Sequence, residues 1–184
     1  MPSRTHTAVY PGTFDPPTFG HLDVIKRGRS LFDRVVVGVG HNPEKRTVFT
    51  IEERAEMLTE LVVEMTDAEP ELADVEVSIF EGLTVDFARR AGASALLRGI
   101  RNLSDVQNEI QQAVTNREVA QLETAFVVAG STYAYTSSTL IRQVTAMGSD
   151  LHVLDAFVPP SVIARLQAKK ADDPDAFTPW RGGG

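Results

Sequence analysis

The run Val35-Val36-Val37-Gly38-Val39 is β-branched and apolar on both faces, the pattern of a strand buried inside a sheet rather than at a solvated surface. Thr7–Tyr10, Val75–Phe80, Ala95–Leu97 and Thr124–Ala129 read as four more strands, and helical patterns lie between them. Gly20–Phe32 is amphipathic. Thr50 opens a helix running to about Met65, and its "TIEE" start is a capping box with Glu53 reaching back to Thr50. Leu83–Ala91 is short and ends before Gly92. Leu103–Val119 is polar apart from a stripe at Val106, Ile110, Ala113 and Val114, and two more helices begin at Ser137 and Pro160.

Strands alternating with helices define an α/β chain: a Rossmann-like, doubly wound, five-stranded parallel sheet with helices on both faces. At 184 residues it forms one domain, residues 1–170. The stretch 171–184, "ADDPDAFTPWRGGG", is rich in Pro, Gly and Asp and is expected to be disordered. No apolar run approaches the roughly 18 residues needed to cross a bilayer. With no secretory pattern and no cysteine, a cytoplasmic protein without membrane contact is expected. A net charge of −7 argues against nucleic acid as a partner.

In a doubly wound sheet, ligands bind beyond the carboxyl ends of the strands, where strand order reverses. Four unusual loops follow strands: "PGTFDPPTFGH", "GHNPEKRTVF", "RGIR" and "GSTYAYTSST". In the first, Gly12 permits close backbone approach, Thr13 offers a hydroxyl and an amide, and Gly20-His21 opens a helix whose amides attract phosphate. The conservative reading is a tight connection with His21 capping the helix. Lys45 and Arg46 suit a solvated loop equally well. Arg98 and Arg101 follow a buried strand and are close enough to aim at one anion, with ion pairs to Asp105 or Glu109 as the alternative. Ser137, Ser138 and Thr139 put three hydroxyls at a helix start, where capping needs one. Arg142, one turn on, is as readily solvated as functional. No G-x-G-x-x-G fingerprint, Walker lysine, hydrolase elbow or protein metal cage is present. The residues alone therefore reach a polyphosphate site stabilised by charge, without a covalent step.

The order and spacing of "YPGTFDPPTFGHLDVIKR", "NPEKRTVFTIEER", "FARRAGASALLRGIR", "DVQNEIQQAVTNR" and "YTSSTLIRQV" resemble the bacterial phosphopantetheine adenylyltransferases. These are nucleotidyltransferases marked by a T/H-x-G-H loop, here Thr18-Phe19-Gly20-His21. The likeness spans about residues 6–168. It implies transfer of AMP from ATP to 4′-phosphopantetheine, giving dephospho-coenzyme A and pyrophosphate, by in-line attack. A relative using another acceptor, such as nicotinate mononucleotide, is the alternative; Thr18, where those relatives carry histidine, argues against it.

By the same resemblance His21, Lys45 and Arg98 are catalytic, and Thr13, Lys45, Thr84 and Arg98 take phosphopantetheine. Thr13, Phe14, His21, Gly99, Ile100, Arg101 and Glu109 take ATP, together with Tyr133, Ala134, Tyr135, Thr136, Ser137, Ser138 and Thr139. No protein metal ligand is implied, because Mg2+ is held mainly by substrate phosphates. A homohexamer inhibited by coenzyme A is also implied. Thr139 replaces a serine of the family pattern, keeping the hydroxyl and adding a methyl. Residues past about Lys170 lie outside the likeness.

Overall fold

In the computed structural model, which describes residues 5–41, 46–133, 136–148 and 150–180, five parallel strands form one sheet in the order β3-β2-β1-β4-β5. The strands are β1 Thr7–Gly12, β2 Arg34–Gly40, β3 Asp74–Phe80, β4 Ala95–Ile100 and β5 Glu123–Val128. Connecting or following them are α1 Phe19–Arg29, α2 Ile51–Ala68, α3 Thr84–Arg90, α4 Leu103–Ala120, α5 Ser138–Met147 and α6 Pro160–Asp172. β1 pairs in register with β2 (Val9 opposite Val36) and with β4 (Val9 opposite Leu96).

The two-residue period of the strands divides the core between the faces. Ala8, Tyr10, Val35, Val37 and Leu97 pack with Val24 and Ile25 of α1 and Leu58 and Val62 of α2. Val9, Val36 and Leu96 point the other way, against Val85, Phe87 and Ala88 of α3. A third cluster joins Val48, Phe49 and Met57 to Ile141 of α5 and Leu166 of α6. Thr50 caps α2 as the capping box requires: its Oγ1 accepts from Glu53 N at 3.2 Å, and Glu53 Oε2 accepts from Thr50 N at 2.7 Å.

Two expectations from the sequence change. β4 does not stop before "RGIR" but continues through Arg98, Gly99 and Ile100, which pair with Phe126, Val127 and Val128. A charged side chain is tolerated in that strand because it meets a carboxylate from α4. The apolar stripe of α4, for which no burial was expected, is partly exposed: Ile110 and Val114 are 50 % and 44 % exposed, and β5, an edge strand, leaves Val128 70 % exposed. As far as Trp180 the C-terminal stretch is not featureless either; residues 181–184 of it lie outside the described residues. α6 runs to Asp172, Pro174–Trp180 forms a tight helical segment, and Phe177 is fully buried against the third cluster. A single aromatic anchor thus orders a segment whose composition reads as loose.

Among the described residues no helix is long and apolar enough to cross a membrane. The chain runs β1-β2-β3 to one side of β1 and β4-β5 to the other, so strand order reverses between β1 and β4. The loops leaving these two strands diverge there and open a crevice.

Candidate functional site

His21 enters the crevice through the start of α1. Thr18 is the N-cap, with extended backbone, and its Oγ1 accepts from His21 N at 3.4 Å. In return His21 Nδ1 accepts the Thr18 N–H at 3.0 Å. Because Nδ1 is the acceptor, the ring proton sits on Nε2, and Nε2 is a donor. Phe14 closes the other side: its ring meets His21 edge-on at 5.0 Å and Tyr10 at 5.4 Å. Phe14 holds φ +51°, unusual for a bulky residue, and a Cβ on Gly12 would lie 2.7 Å from its ring. Only glycine fits beneath that ring. Burial, followed by the charges of Arg101 and Arg98, lowers the His21 pKa to about 3, so the imidazole is neutral at ordinary pH.

The two arginines arrive on β4 and just beyond it. Arg98 donates from Nε and Nη2 to the two Glu109 oxygens at 2.7 and 2.6 Å, and from Nη1 to the Pro11 carbonyl at 3.0 Å. Arg101 donates from Nε to Asp105 at 3.0 Å and from Nη1 to the Thr136 carbonyl at 2.7 Å. Asp105 and Glu109 stand four apart on α4 and therefore share a face. The ion pairs considered as an alternative to anion binding are thus formed, and both arginines also border the cavity described below. Between them, Gly99 lets α1 come close, since a Cβ there would be 2.5 Å from Val24.

At the start of α5 the three hydroxyls are used differently. Ser137 Oγ accepts from Leu140 N at 3.1 Å, the ordinary cap. Ser138 Oγ donates to the Pro16 carbonyl at 2.9 Å, and Thr139 Oγ1 accepts from Arg142 Nη2 at 3.2 Å. Thr136 is buried, and its Oγ1 has no hydrogen-bond partner among the described residues. Arg142 is not solvated: its side chain is 14 % exposed and donates to the Asp15 carbonyl at 2.5 Å.

These groups surround a cavity of about 590 Å³ lined by Thr13, Phe14, His21, Arg46, Arg98, Gly99, Arg101, Glu109, Thr136 and Ser137–Thr139, with Arg142 and Trp180. A neighbouring cavity of about 910 Å³ is lined by His41, Phe80, Thr84, Leu96 and the amide side chains of Asn108, Gln111, Gln112 and Asn116. The two meet along Pro11, Gly12, Thr13 and Arg98, which border both. Ile100 and Tyr133 line neither; Tyr133 instead packs beside Phe19 at 6.3 Å. Lys45, Ala134 and Tyr135 lie outside the described residues.

Two residues that shape the site give little signal in the sequence. Arg54, 2 % exposed, donates to the carbonyls of Thr13 at 2.5 Å and Gly40 at 3.2 Å, tying the β1 and β2 rims together. Asp15, 1 % exposed, accepts from Val48 N and Phe49 N at 2.9 and 3.0 Å. Burial pushes its carboxyl pKa up, against the pull of those amides. Asp15 sits inside "GTFDPP", where a strained loop needs an internal acceptor, whereas Arg54 looks like any polar residue of α2. The amides of α4 belong to a helix legible only as polar.

Residues 9–144 match the family described as "Cytidylyltransferase-like". The phosphopantetheine adenylyltransferase of Moorella thermoacetica is 46% identical over 156 residues, 84% of this chain and 91% of that protein. The same enzyme of Synechococcus elongatus is 44% identical over 160 residues, 86% of this chain and 90% of that one. That of Caldanaerobacter subterraneus subsp. tengcongensis is 41% identical over 163 residues, covering 88% and 96%. Among solved structures, a bifunctional NMN adenylyltransferase/ADP ribose pyrophosphatase from Francisella tularensis aligns with TM-score 0.66 at 13% identity, over 96% of this chain and 52% of that longer one. A nicotinate-nucleotide adenylyltransferase fold from Vibrio parahaemolyticus aligns at 0.60 and 16%, over 98% of both chains. At such identities the structures speak for the fold alone.

Proposed function

The chain belongs to the phosphopantetheine adenylyltransferase family, within the cytidylyltransferase-like group, and on that premise we propose how its two cavities transfer AMP from ATP to 4′-phosphopantetheine. The observation that carries the reading is their junction at Gly12, Thr13 and Arg98. ATP occupies the cavity beside His21 and the hydroxyl-rich start of α5. The acceptor lies in the other, where Asn108, Gln111, Gln112 and Asn116 suit an arm that carries amides. The acceptor phosphate and the α-phosphorus of ATP then meet at the shared rim.

An acceptor phosphate oxygen forms a bond to the α-phosphorus as the bond to the pyrophosphate oxygen breaks, and dephospho-coenzyme A and pyrophosphate leave. His21 donates from Nε2 to the phosphoryl oxygens, where negative charge builds, and is already oriented by Thr18. Thr13 contacts both reacting phosphates at the rim. Lys45 and Arg98 hold the acceptor phosphate, while Arg101 reaches the ATP phosphates. Phe14 keeps the imidazole dry, Gly99 and Glu109 flank the nucleotide, and Thr136–Thr139 take its phosphates and base. Thr84 borders the pantetheine arm. Ile100 and Tyr133 line neither cavity.

The nearby carboxylates suit an ion carried by substrate rather than a protein cage. Glu109 is bonded to Arg98, Asp105 to Arg101, and Asp15 to two amides. Mg2+ would be held mainly by the phosphates and would neutralise charge on the leaving pyrophosphate. Coenzyme A, which carries the same arm, competes for the acceptor cavity. Exposed Ile110 and Val114 on α4 and Val128 on β5 favour self-association; the homohexamer and the cytoplasmic location are carried over from the family as part of the proposal.

The test is to supply magnesium and ATP with 4′-phosphopantetheine or nicotinate mononucleotide, measure pyrophosphate and identify the product. Dephospho-coenzyme A from the first acceptor and nothing from the second is expected. The reverse pattern overturns the assignment.

A further inference from the structure

Beyond the groups assigned above, the C-terminal segment brings one aromatic ring to the ATP cavity. Trp180 is the only tryptophan in the chain, and it lines that cavity beside Pro179. Its position follows from Phe177, three residues earlier, which is fully buried against α5 and α6. The indole lies over the Arg142 guanidinium, whose central carbon is 4.8 Å from the ring centroid.

Arg142 is an incompletely neutralised cation. It donates to the Asp15 carbonyl at 2.5 Å and to Thr139 Oγ1 at 3.2 Å, both neutral oxygens. Nη1 also donates to the Asp15 carboxylate at 3.4 Å, a long ion pair with a group that already accepts two backbone amides. Arg142 Nε is buried without a hydrogen-bond partner among the described residues. A largely buried guanidinium with one long, shared ion pair and an unpartnered Nε keeps donors for a second anion, and the cavity it borders has been assigned to a polyphosphate. Together with those hydrogen bonds, the face of Trp180 holds its plane, because a stacked ring stabilises a cation without using any of its remaining edge donors.

We propose that Trp180 is a positioning residue for ATP: it holds Arg142 flat against the cavity wall so that the guanidinium is ready to receive a nucleotide phosphate. This rests on the reading that the cavity binds ATP. The C-terminal segment is then part of the nucleotide site.

Trp180→Ala, Trp180→Phe and Trp180→Leu test it in the full chain. Equilibrium dialysis with ATP is expected to show about fivefold weaker binding for Trp180→Ala, the size of a partly desolvated cation–π contact. Phe should restore binding to within twofold. Leu, which fills space without a π face, should not. In turnover the KM for ATP rises in parallel, with kcat and the KM for phosphopantetheine changed less than twofold. Emission of the single tryptophan should shift as ATP is added to the unaltered protein. Equal ATP affinity in the unaltered protein and Trp180→Ala overturns the proposal, as does rescue by Leu as complete as by Phe. Wild-type protein that binds ATP yet forms no dephospho-coenzyme A would count against the function, while the dialysis series would still judge Trp180.

Discussion

His21 and the arginine pair face the same cavity but are prepared for it in opposite ways. His21 is readied by its own helix: Thr18 fixes its orientation, Phe14 shields it, and burial keeps it neutral. Arg98 and Arg101 are held by partners, Glu109 and Asp105, with which a phosphate entering as proposed would compete. The difference teaches a division of labour. A neutral donor that needs no rearrangement can respond to charge appearing in the transition state, whereas paired cations are suited to binding charge that substrates bring with them.

That contrast can be broken most severely at His21. His21→Ala is expected to lower kcat about 10²–10³-fold, the usual size for losing one preorganised donor, while ATP affinity changes only a few-fold. Steady-state kinetics beside equilibrium ATP binding separates the two, and a loss confined to affinity would erase the distinction. Arg98→Ala should act on the other side, lowering kcat/KM for phosphopantetheine about 10–100-fold and leaving Glu109 without its partner. Arg98→Lys should recover little, because one ammonium cannot replace a two-pronged contact. Titrating phosphopantetheine and ATP separately checks it.

Thr18→Val sharpens the comparison, since it touches the orientation of His21 without touching its chemistry. It removes the cap, at a cost of about 1 kcal/mol in stability, and should lower kcat by about tenfold or less. Thermal unfolding and kcat measured on the same sample would show both. A last effect, on stability and not on turnover, is in the pH dependence. Unfolded His21 takes up a proton near its ordinary value of 6.5, but the folded side chain resists until about 3. The unfolded state therefore binds more protons between these values. Its contribution is complete above 6.5 and is lost as pH falls toward 3, with a slope of about 1 kcal/mol per pH unit. His21→Gln should show a flatter loss in denaturant titrations between pH 6.5 and 4.5.

Much of this architecture was legible because strand and helix periods differ. Val35–Val39 could only be a covered strand, and "TIEE" announced the start of α2. The loops after strands pointed to the rim on which Thr13, His21, Arg98 and Ser137–Thr139 now stand. What was hidden depended on partners far along the chain. Arg98 looks like a strand breaker until Glu109, eleven residues later, neutralises it inside β4. Arg54 is an unremarked helix residue until the carbonyls of Thr13 and Gly40 arrive around it. The stripe on α4 has the period of a core face, yet period alone does not say whether its own chain covers it. Phe177 and Trp180 sit in a segment whose average composition outweighs two aromatic side chains in any compositional reading.

The most direct test of the difference between the two preparations is nitrogen NMR of the imidazoles in ligand-free protein, with His21→Gln identifying the His21 signal among the four histidines. The expected spectrum shows His21 neutral, protonated at Nε2, and unchanged in titration from pH 8 down to about 4.5. A His21 signal that titrates near 6.5, or that carries its proton on Nδ1, would contradict the account.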